Sequence, residues 1–195
     1  MLLHDAEIAK VCSDLDVFMP YVGEKRRCLD SGVKAISYGL SQAGYDIRLS
    51  SEEFIVYHKR DFPKKLPTLD PKDQTHGTNS PLVHGVSGSY FTLPGNSYGL
   101  GTSLEKITMP TNVIGICDGK STYARCGVII NVTPIEPGWA GHLTMHIANP
   151  SPFPVKIYAN EGIVQVMLYK LSNNVEKPYE GKYQDQSSKV HLAVV

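Results

Sequence analysis

DGKSTYARCGVIINVTPIEPGWAGHLTMHIAN, residues 118–149, is the stretch on which the reading of the whole chain turns. It opens on a short glycine turn carrying Lys120, Ser121 and Arg125, and runs into the apolar, β-branched segment GVIINVT. The chain then turns at PIEPGWAG and closes in GHLTMHIAN. At the two-residue period of a strand, Leu143, Met145 and Ile147 take one face, and His142, Thr144 and His146 take the other. Cations, a hydroxyl, the carboxylate of Glu136 and an imidazole are thus crowded between segments that have the composition of a core. That combination points to a site for an anionic ligand.

GICDGKS, residues 115–121, falls short of a nucleotide-binding phosphate loop. Three residues separate its glycines where that motif needs four, and the following GVIINVT reads as a strand where the motif needs a helix. An ATPase reading is rejected. Backbone amides at the turn, Lys120, the Ser121 hydroxyl and Arg125 four residues on can still hold phosphate oxygens together; the alternative is a surface turn with a solvated lysine. His146 is either a proton shuttle, since an imidazole titrates near neutrality, or a half-buried histidine bonded to a neighbour. A metal pair finds no third ligand at zinc-like spacing, and the HxE…PCxxC signature of zinc deaminases is absent. Glu136, held between Pro134 and Pro137, suits a hydrogen-bond acceptor for a ligand hydroxyl as well as it suits a solvated turn. Asp46 in GYDIRL has the same two readings.

On the N-terminal side, residues 2–14 predict an amphipathic helix, with Leu3, Ile8 and Val11 or Cys12 at helical spacing and Asp5 and Glu7 in the first turn. Pro20 and Gly23 break it. GYDIRL reads as a turn entering a strand, and EEFIVYH, residues 52–58, as a strand. Residues 59–88 shift to proline, lysine, aspartate, threonine, histidine and glycine. They predict a loop with little structure of its own, about twice the length at which such loops become uncommon. After it come SYFTL, SYGLGTSLEKITM, NVIGIC, GVIINVT, GHLTMHIAN, PVKIYA and GIVQVMLYK, punctuated by PGN, PT, PGW, PSPFP and NEG. Short strands with such regular turns indicate a mainly antiparallel β-sandwich or jelly-roll-like barrel. From Ser172 the chain is polar and ends in the small apolar patch HLAVV; it is either frayed or ordered by something it covers.

The 195 residues suit one domain with a full core. Nineteen lysines and arginines balance nineteen aspartates and glutamates, so the basic excess of a protein that grips nucleic acid is missing. Phosphate binding must be local. The N-terminus has no basic and apolar leader pattern, and no apolar run reaches the roughly 18 residues of a membrane span, so a cytoplasmic location is expected. Cys12, Cys28, Cys117 and Cys126 are dispersed and read as free thiols, with Cys117 and Cys126 as small core residues.

GKSTYARCGVIINVTPIEPGWAGHLTM closely resembles the corresponding segment of bacterial dCTP deaminases, which share their fold with trimeric dUTPases. ISYGLSQAGYDIRL, the strands around SYGLGTSLEKITMP, KIYANEGIVQVMLY and the tail's GKYQDQ match in order, so the resemblance covers most of the chain. It implies a mainly β, distorted jelly-roll, dUTPase-like β-barrel with a short N-terminal helix, forming a single domain over residues 1–195. Residues 172–195 would be a tail closing over the nucleotide. It further implies homotrimers with sites at subunit interfaces, and magnesium bound with the triphosphate but no zinc.

By position, Lys120, Ser121 and Arg125 resemble the residues that bind phosphate and support the catalytic water. Glu136 matches the carboxylate beside the deoxyribose and pyrimidine, Gln165 a glutamine of the phosphate segment, and Tyr179, Lys182 and Gln186 the tail residues that fold onto the triphosphate. One position departs: where the family carries its acid/base glutamate, this chain has His146. The tail departs too, with a short YEGKY and SSK where a glycine turn is common. Three readings follow. Deamination of dCTP or a 5-substituted dCTP, with His146 moving the proton, ranks first because the surrounding sequence stays close to the deaminases. A dUTPase-like pyrophosphohydrolase and a non-catalytic nucleotide-binding regulator are the alternatives.

Overall fold

The computed structural model describes residues 1–62, 68–72, 74 and 77–195. Helix α1 (Asp5–Leu15) opens the chain. His4 N–H donates to Glu7 Oε2 across its first turn at 3.1 Å, and Ile8 and Cys12 are buried. The helix starts three residues later than the sequence pattern suggests because Leu3 N–H is committed to Leu168 O. Three strands follow: β1 (Phe18–Met19), β2 (Arg26–Cys28) and β3 (Lys34–Ser41).

The axis of the fold is β4 (Gly44–Tyr57), a single strand where the sequence suggested a turn and two shorter segments. Tyr45, Ile47, Leu49, Phe54 and Val56 are all buried along it. Residues 59–88 are less bare than their composition suggests. They hold a 3-10 turn at Lys59–Asp61, β5 (Thr78–Asn79) and β6 (Val83–Gly85), and reach the start of β7 (Gly88–Leu93). Residues 63–67, 73, 75 and 76 of that predicted loop lie outside the described residues. The regular part resumes with β8 (Ser97–Thr108) and β9 (Val113–Gly119), then the one-turn helix α2 (Ser121–Ala124) and β10 (Ile129–Asn131). It ends with β11 (Ala140–Asn149), β12 (Val155–Tyr158) and β13 (Gly162–Lys170).

The large sheet runs β10–β11–β8–β4–β13–β9 with antiparallel neighbours, and β10 packs back against β9, so the sheet curls towards closure. A second sheet, β12–β7–β6, covers it. Phe91, Leu93 and Ile157 from the small sheet join Phe54, Met145 and Ile147 from the large one in a single core. Close approach shapes the centre: the Phe54 ring lies where a side chain on Gly99 would be, 2.4 Å from an ideal Cβ. The buried Glu105 ties β8 to β4 by accepting from Arg48 Nε at 2.6 Å and Arg48 N–H at 2.8 Å. The mainly β fold with a curled antiparallel sheet and a short N-terminal helix, read from the sequence, is the one observed.

Two local readings are corrected. GVIINVT is a strand only at Ile129–Asn131, because α2 takes the residues just after the glycine turn and Val128 N–H closes onto Tyr123 O. Cys126 is exposed rather than buried, since it lies in the turn that ends α2 and bonds Tyr123 O through its N–H. Cys117 is half-buried on β9, and burial pushes its thiol up to about 12.

Candidate functional site

Two groups of side chains emerge, one at each end of the 118–149 stretch. The first gathers where β3, β4, β9 and β13 meet. Gln165 pairs in register with Asp46 on one side and Asp118 on the other. Its Nε2 donates to Ser41 Oγ at 2.9 Å. Lys120 follows β9 directly and reaches back, donating to Asp46 Oδ2 at 2.6 Å and Ser37 Oγ at 3.0 Å. Asp46 is fully buried, and its Oδ1 has no hydrogen-bond partner. Lys25 stands 3.9 Å from the same Oδ2, so two ammonium groups share one carboxylate.

Next to this cluster, α2 holds Ser121 and Thr122 at the surface because Tyr123 anchors it: the ring is buried and its hydroxyl oxygen accepts from Tyr158 N–H at 2.8 Å. Arg125 Nη1 donates to Ser121 O at 2.9 Å and leaves the rest of its guanidinium exposed. Lys120, Ser121, Arg125 and Gln165 therefore form one cationic, hydroxyl-bearing corner, suited to an anion with several oxygens. Lys25, Ser37 and Ser41 were not singled out from the sequence. KRR at 25–27 is a visible charge run, but its position beside Asp46 depends on the pairing of β2 with β3.

The second group surrounds a cleft of about 480 Å³. Its floor is the β8–β11 surface at Leu100 and Thr144, and the turn carrying Glu136 and Trp139 walls one side. The tail walls the other with Tyr179 and Gln186. The turn is pinned to β9 by a pair of backbone bonds between Ile135 and Gly115, which leaves the Glu136 carboxylate exposed at the rim.

The tail is ordered by what it covers. Trp139 Nε1 donates to Tyr183 O at 2.8 Å, Tyr179 N–H to Pro137 O, and His142 N–H to Gln186 O. Gln186 pairs in parallel with Gly141, whose φ of 139° and lack of a Cβ let the two backbones meet; an ideal Cβ there would be 2.6 Å from Gln186 N. Lys182 does not line the cleft. Its ammonium donates to Val194 O and lies over the Tyr183 ring.

His146 lies in register with Leu100 on β8 and Asn131 on β10, so it shares the face that floors the cleft without lining it. The alternation read from GHLTMHIAN holds: Leu143, Met145 and Ile147 are buried, while His142, Thr144 and His146 are half-buried on the other face. The imidazole packs against Tyr98 with ring centroids 5.1 Å apart, and Tyr98 stacks in turn on Tyr57 at 4.6 Å. Nδ1 of His146 is buried without a partner, and burial pulls the ring's pKa below its ordinary 6.5. It is a neutral imidazole at neutral pH. Tyr98, beside it, has its hydroxyl pushed up to about 12 by burial.

Of the residues named from the sequence, Glu136, Tyr179 and Gln186 meet at the cleft, with His146 on the same sheet face but not lining it. Lys120, Ser121, Arg125 and Gln165 meet elsewhere and line none of it. Among the described residues no hydrogen bond or ion pair joins the two groups.

A curled β-sheet of this kind has a solved counterpart. The 2'-deoxycytidine 5'-triphosphate deaminase from Agrobacterium tumefaciens superposes with a TM-score of 0.56 at 16% identity, over 86% of this chain and 47% of that one. That likeness shows the fold. Sequence shows the family: residues 24–171 match the family described as dCTP deaminase-like. The dCTP deaminase of Chlamydia pneumoniae is 42% identical over 189 residues, covering 93% of both chains. Those of Sulfurovum sp. and of Helicobacter pylori strain P12 are 45% identical over 159 residues and 43% over 158, each covering 80% of both chains. The chain belongs to the dCTP deaminase-like family.

Proposed function

We propose that this protein is a cytoplasmic enzyme that hydrolytically deaminates dCTP, or a 5-substituted dCTP, to the uracil or thymine nucleotide and ammonia. Its relatives are dCTP deaminases over nearly the whole chain. The observation that supports the reading is the division of the site: an anion corner at Lys120, Ser121, Arg125 and Gln165, and a cleft over the His146 face that lacks any of them. A nucleoside triphosphate needs both. A homotrimer that sets one protomer's anion corner against its neighbour's cleft would supply them, with Tyr179, Lys182 and Gln186 in the tail closing over the bound nucleotide.

In this reading Lys120 and Arg125 neutralise phosphate charge, while the Ser121 hydroxyl and Gln165 amide donate to phosphate oxygens. Glu136 at the cleft rim accepts from the deoxyribose hydroxyl. His146, neutral at neutral pH, takes a proton from water as its oxygen adds to C4 of the pyrimidine and passes that proton to N3. It then takes the proton of the added hydroxyl and delivers it to the exocyclic nitrogen; C4=O forms as the C4–N bond breaks and ammonia leaves, so both protons of the water consumed are placed.

Magnesium would travel with the triphosphate. The orphaned Oδ1 of Asp46 is a hard oxygen of the type that ion takes, directly or through water, and the ion would screen the phosphate charge. No zinc enters this reading, since the paired-cysteine signature of zinc deaminases is absent from the sequence.

One observation favours a second reading. Nδ1 of His146 is buried against Tyr98 with nothing to relay a proton to, which suits a passive imidazole and phosphate hydrolysis in the manner of dUTPases. The test separates the two. The protein is incubated with magnesium and, separately, dCTP, 5-methyl-dCTP, CTP and dUTP, and products are resolved by mass. A one-dalton gain with the triphosphate intact establishes deamination. Pyrophosphate release from dUTP alone establishes hydrolysis, and tight binding without turnover leaves a nucleotide-binding regulator.

A further inference from the structure

The tail brings a second imidazole to the cleft. His191 lines it alongside Thr144 and Gln186, whereas His146 lies on the same sheet face without lining it. The backbone around His191 is held by side chains drawn from four parts of the chain. Val190 N–H donates to Glu53 Oε2 at 2.7 Å and His191 N–H to Thr144 Oγ1 at 3.3 Å. Ala193 N–H donates to Gln74 Oε1 at 2.7 Å, and Val194 N–H to the Tyr183 hydroxyl at 3.3 Å. A little upstream, Thr102 Oγ1 donates to Ser188 O at 2.8 Å. Such a tether places one side chain at a chosen point without a β-ladder.

The ring itself is set in one tautomer. Ser187 N–H donates to His191 Nε2 at 3.1 Å, and a backbone amide can only donate, so Nε2 carries no proton. The proton of the neutral ring is therefore on Nδ1, which has no hydrogen-bond partner among the described residues. A single N–H donor is left on a residue that lines the cleft.

We infer that His191 is a base-contacting residue: its neutral imidazole offers Nδ1–H to an acceptor, a ring nitrogen or a carbonyl oxygen, on the pyrimidine of a nucleotide bound in the cleft. The donor explains why a tail that is otherwise polar and irregular is fastened so closely as far as Val194. It also divides the work of the two imidazoles, with His191 reading the base and His146 left for the proton. His191 can play this part only if the cleft is the nucleotide site, as proposed above.

The experiment is calorimetric titration of the full-length protein with magnesium–dCTP and, separately, with inorganic tripolyphosphate, using wild type, His191→Ala and His191→Gln. Loss of one donor to a neutral acceptor should weaken dCTP binding about three- to tenfold in His191→Ala. His191→Gln, which keeps an N–H donor, should stay within about threefold of wild type. Tripolyphosphate has no base and should bind all three proteins alike.

Wild-type affinity for dCTP in His191→Ala overturns the assignment. So does a His191→Gln variant no better than alanine, or an equal loss for tripolyphosphate; either would mean that the ring only props the tail. A wild-type protein that binds tripolyphosphate but shows no added affinity for dCTP overturns the nucleotide reading of the cleft itself, and His191's part with it.

Discussion

Lys120 Nζ stands 2.6 Å from Oδ2 of Asp46, a carboxylate with no exposed surface, so the ammonium that opens the anion corner is held from below by a buried charge. Lys25 approaches the same oxygen at 3.9 Å. Under the proposed function a phosphate at this corner would compete with Asp46 for Lys120, and Lys25 would remain as a second cation for the carboxylate.

Breaking this pair from one side leaves a buried charge uncompensated. Asp46→Ala is expected to cost about 3–5 kcal/mol of stability. The Asp46→Leu, Lys120→Met double variant should recover much of that, because both charges leave the interior together. Urea titration of Asp46→Leu, Lys120→Met and the double variant measures the coupling. If Asp46→Ala costs no more than an ordinary surface change, the carboxylate is not holding the lysine.

Ser121 and Arg125 are exposed, and their side chains carry no buried contact. Ser121→Ala and Arg125→Ala should therefore change stability by less than about 0.5 kcal/mol. Under the proposed function turnover should fall by about 10²-fold or more, since each would remove a donor to developing or bound charge. Steady-state rates with magnesium–dCTP, alongside a thermal melt, separate the two effects. Wild-type rates in either variant would remove the α2 corner from the site.

Much of this was legible in the sequence, for a physical reason. GHLTMHIAN alternates cleanly because β11 has one buried and one half-buried face, and that alternation placed His146 beside Thr144 before any pairing was known. Glu136, Tyr179 and Gln186 were found by resemblance, and they do meet at one cleft. What stayed hidden depends on contacts distant in sequence. Asp46 in GYDIRL looked like any turn carboxylate until Lys120, 74 residues on, was seen to reach it. The helix α2 was missed because one turn of four residues has no period to read. His191 sat in a short apolar tail patch, and only the bonds to Glu53, Thr144 and Gln74 show why that patch is ordered.

His146 should leave a pH signature. Burial holds its pKa below 6.5, so the basic, neutral ring persists to lower pH than in an ordinary histidine. If it is the base, kcat/KM for deamination falls on acidification with an apparent pKa below 6.5. His146→Ala should cut deamination by about 10²–10⁴-fold, while pyrophosphate release from dUTP, if that is the reaction, should be nearly untouched. His146→Glu, which installs the carboxylate that the sequence resemblance implies at this position, should raise the deamination rate. A rate that already halves at pH 7 would show that another group titrates.

Glu161 supplies a test of stability apart from turnover. It lies in the turn before β13, 2% exposed, with Oε2 accepting Ile36 N–H at 2.6 Å and Oε1 without a partner. Burial raises its pKa above 4.5, with the Ile36 bond opposing. Below pH 4.5 the carboxyl is protonated in both folded and unfolded chains, and its contribution is fully present. As pH rises through the raised folded value, the unfolded chain ionises first, and folded-state stability is lost until both forms are charged. Glu161→Gln keeps an acceptor for Ile36 N–H and cannot ionise, so it should not lose stability over that window. Its melting temperature should match wild type near pH 4 and exceed it at pH 8. A variant that is less stable than wild type at pH 8 would mean that the carboxylate is satisfied as an anion, with a cation or a bound donor at Oε1.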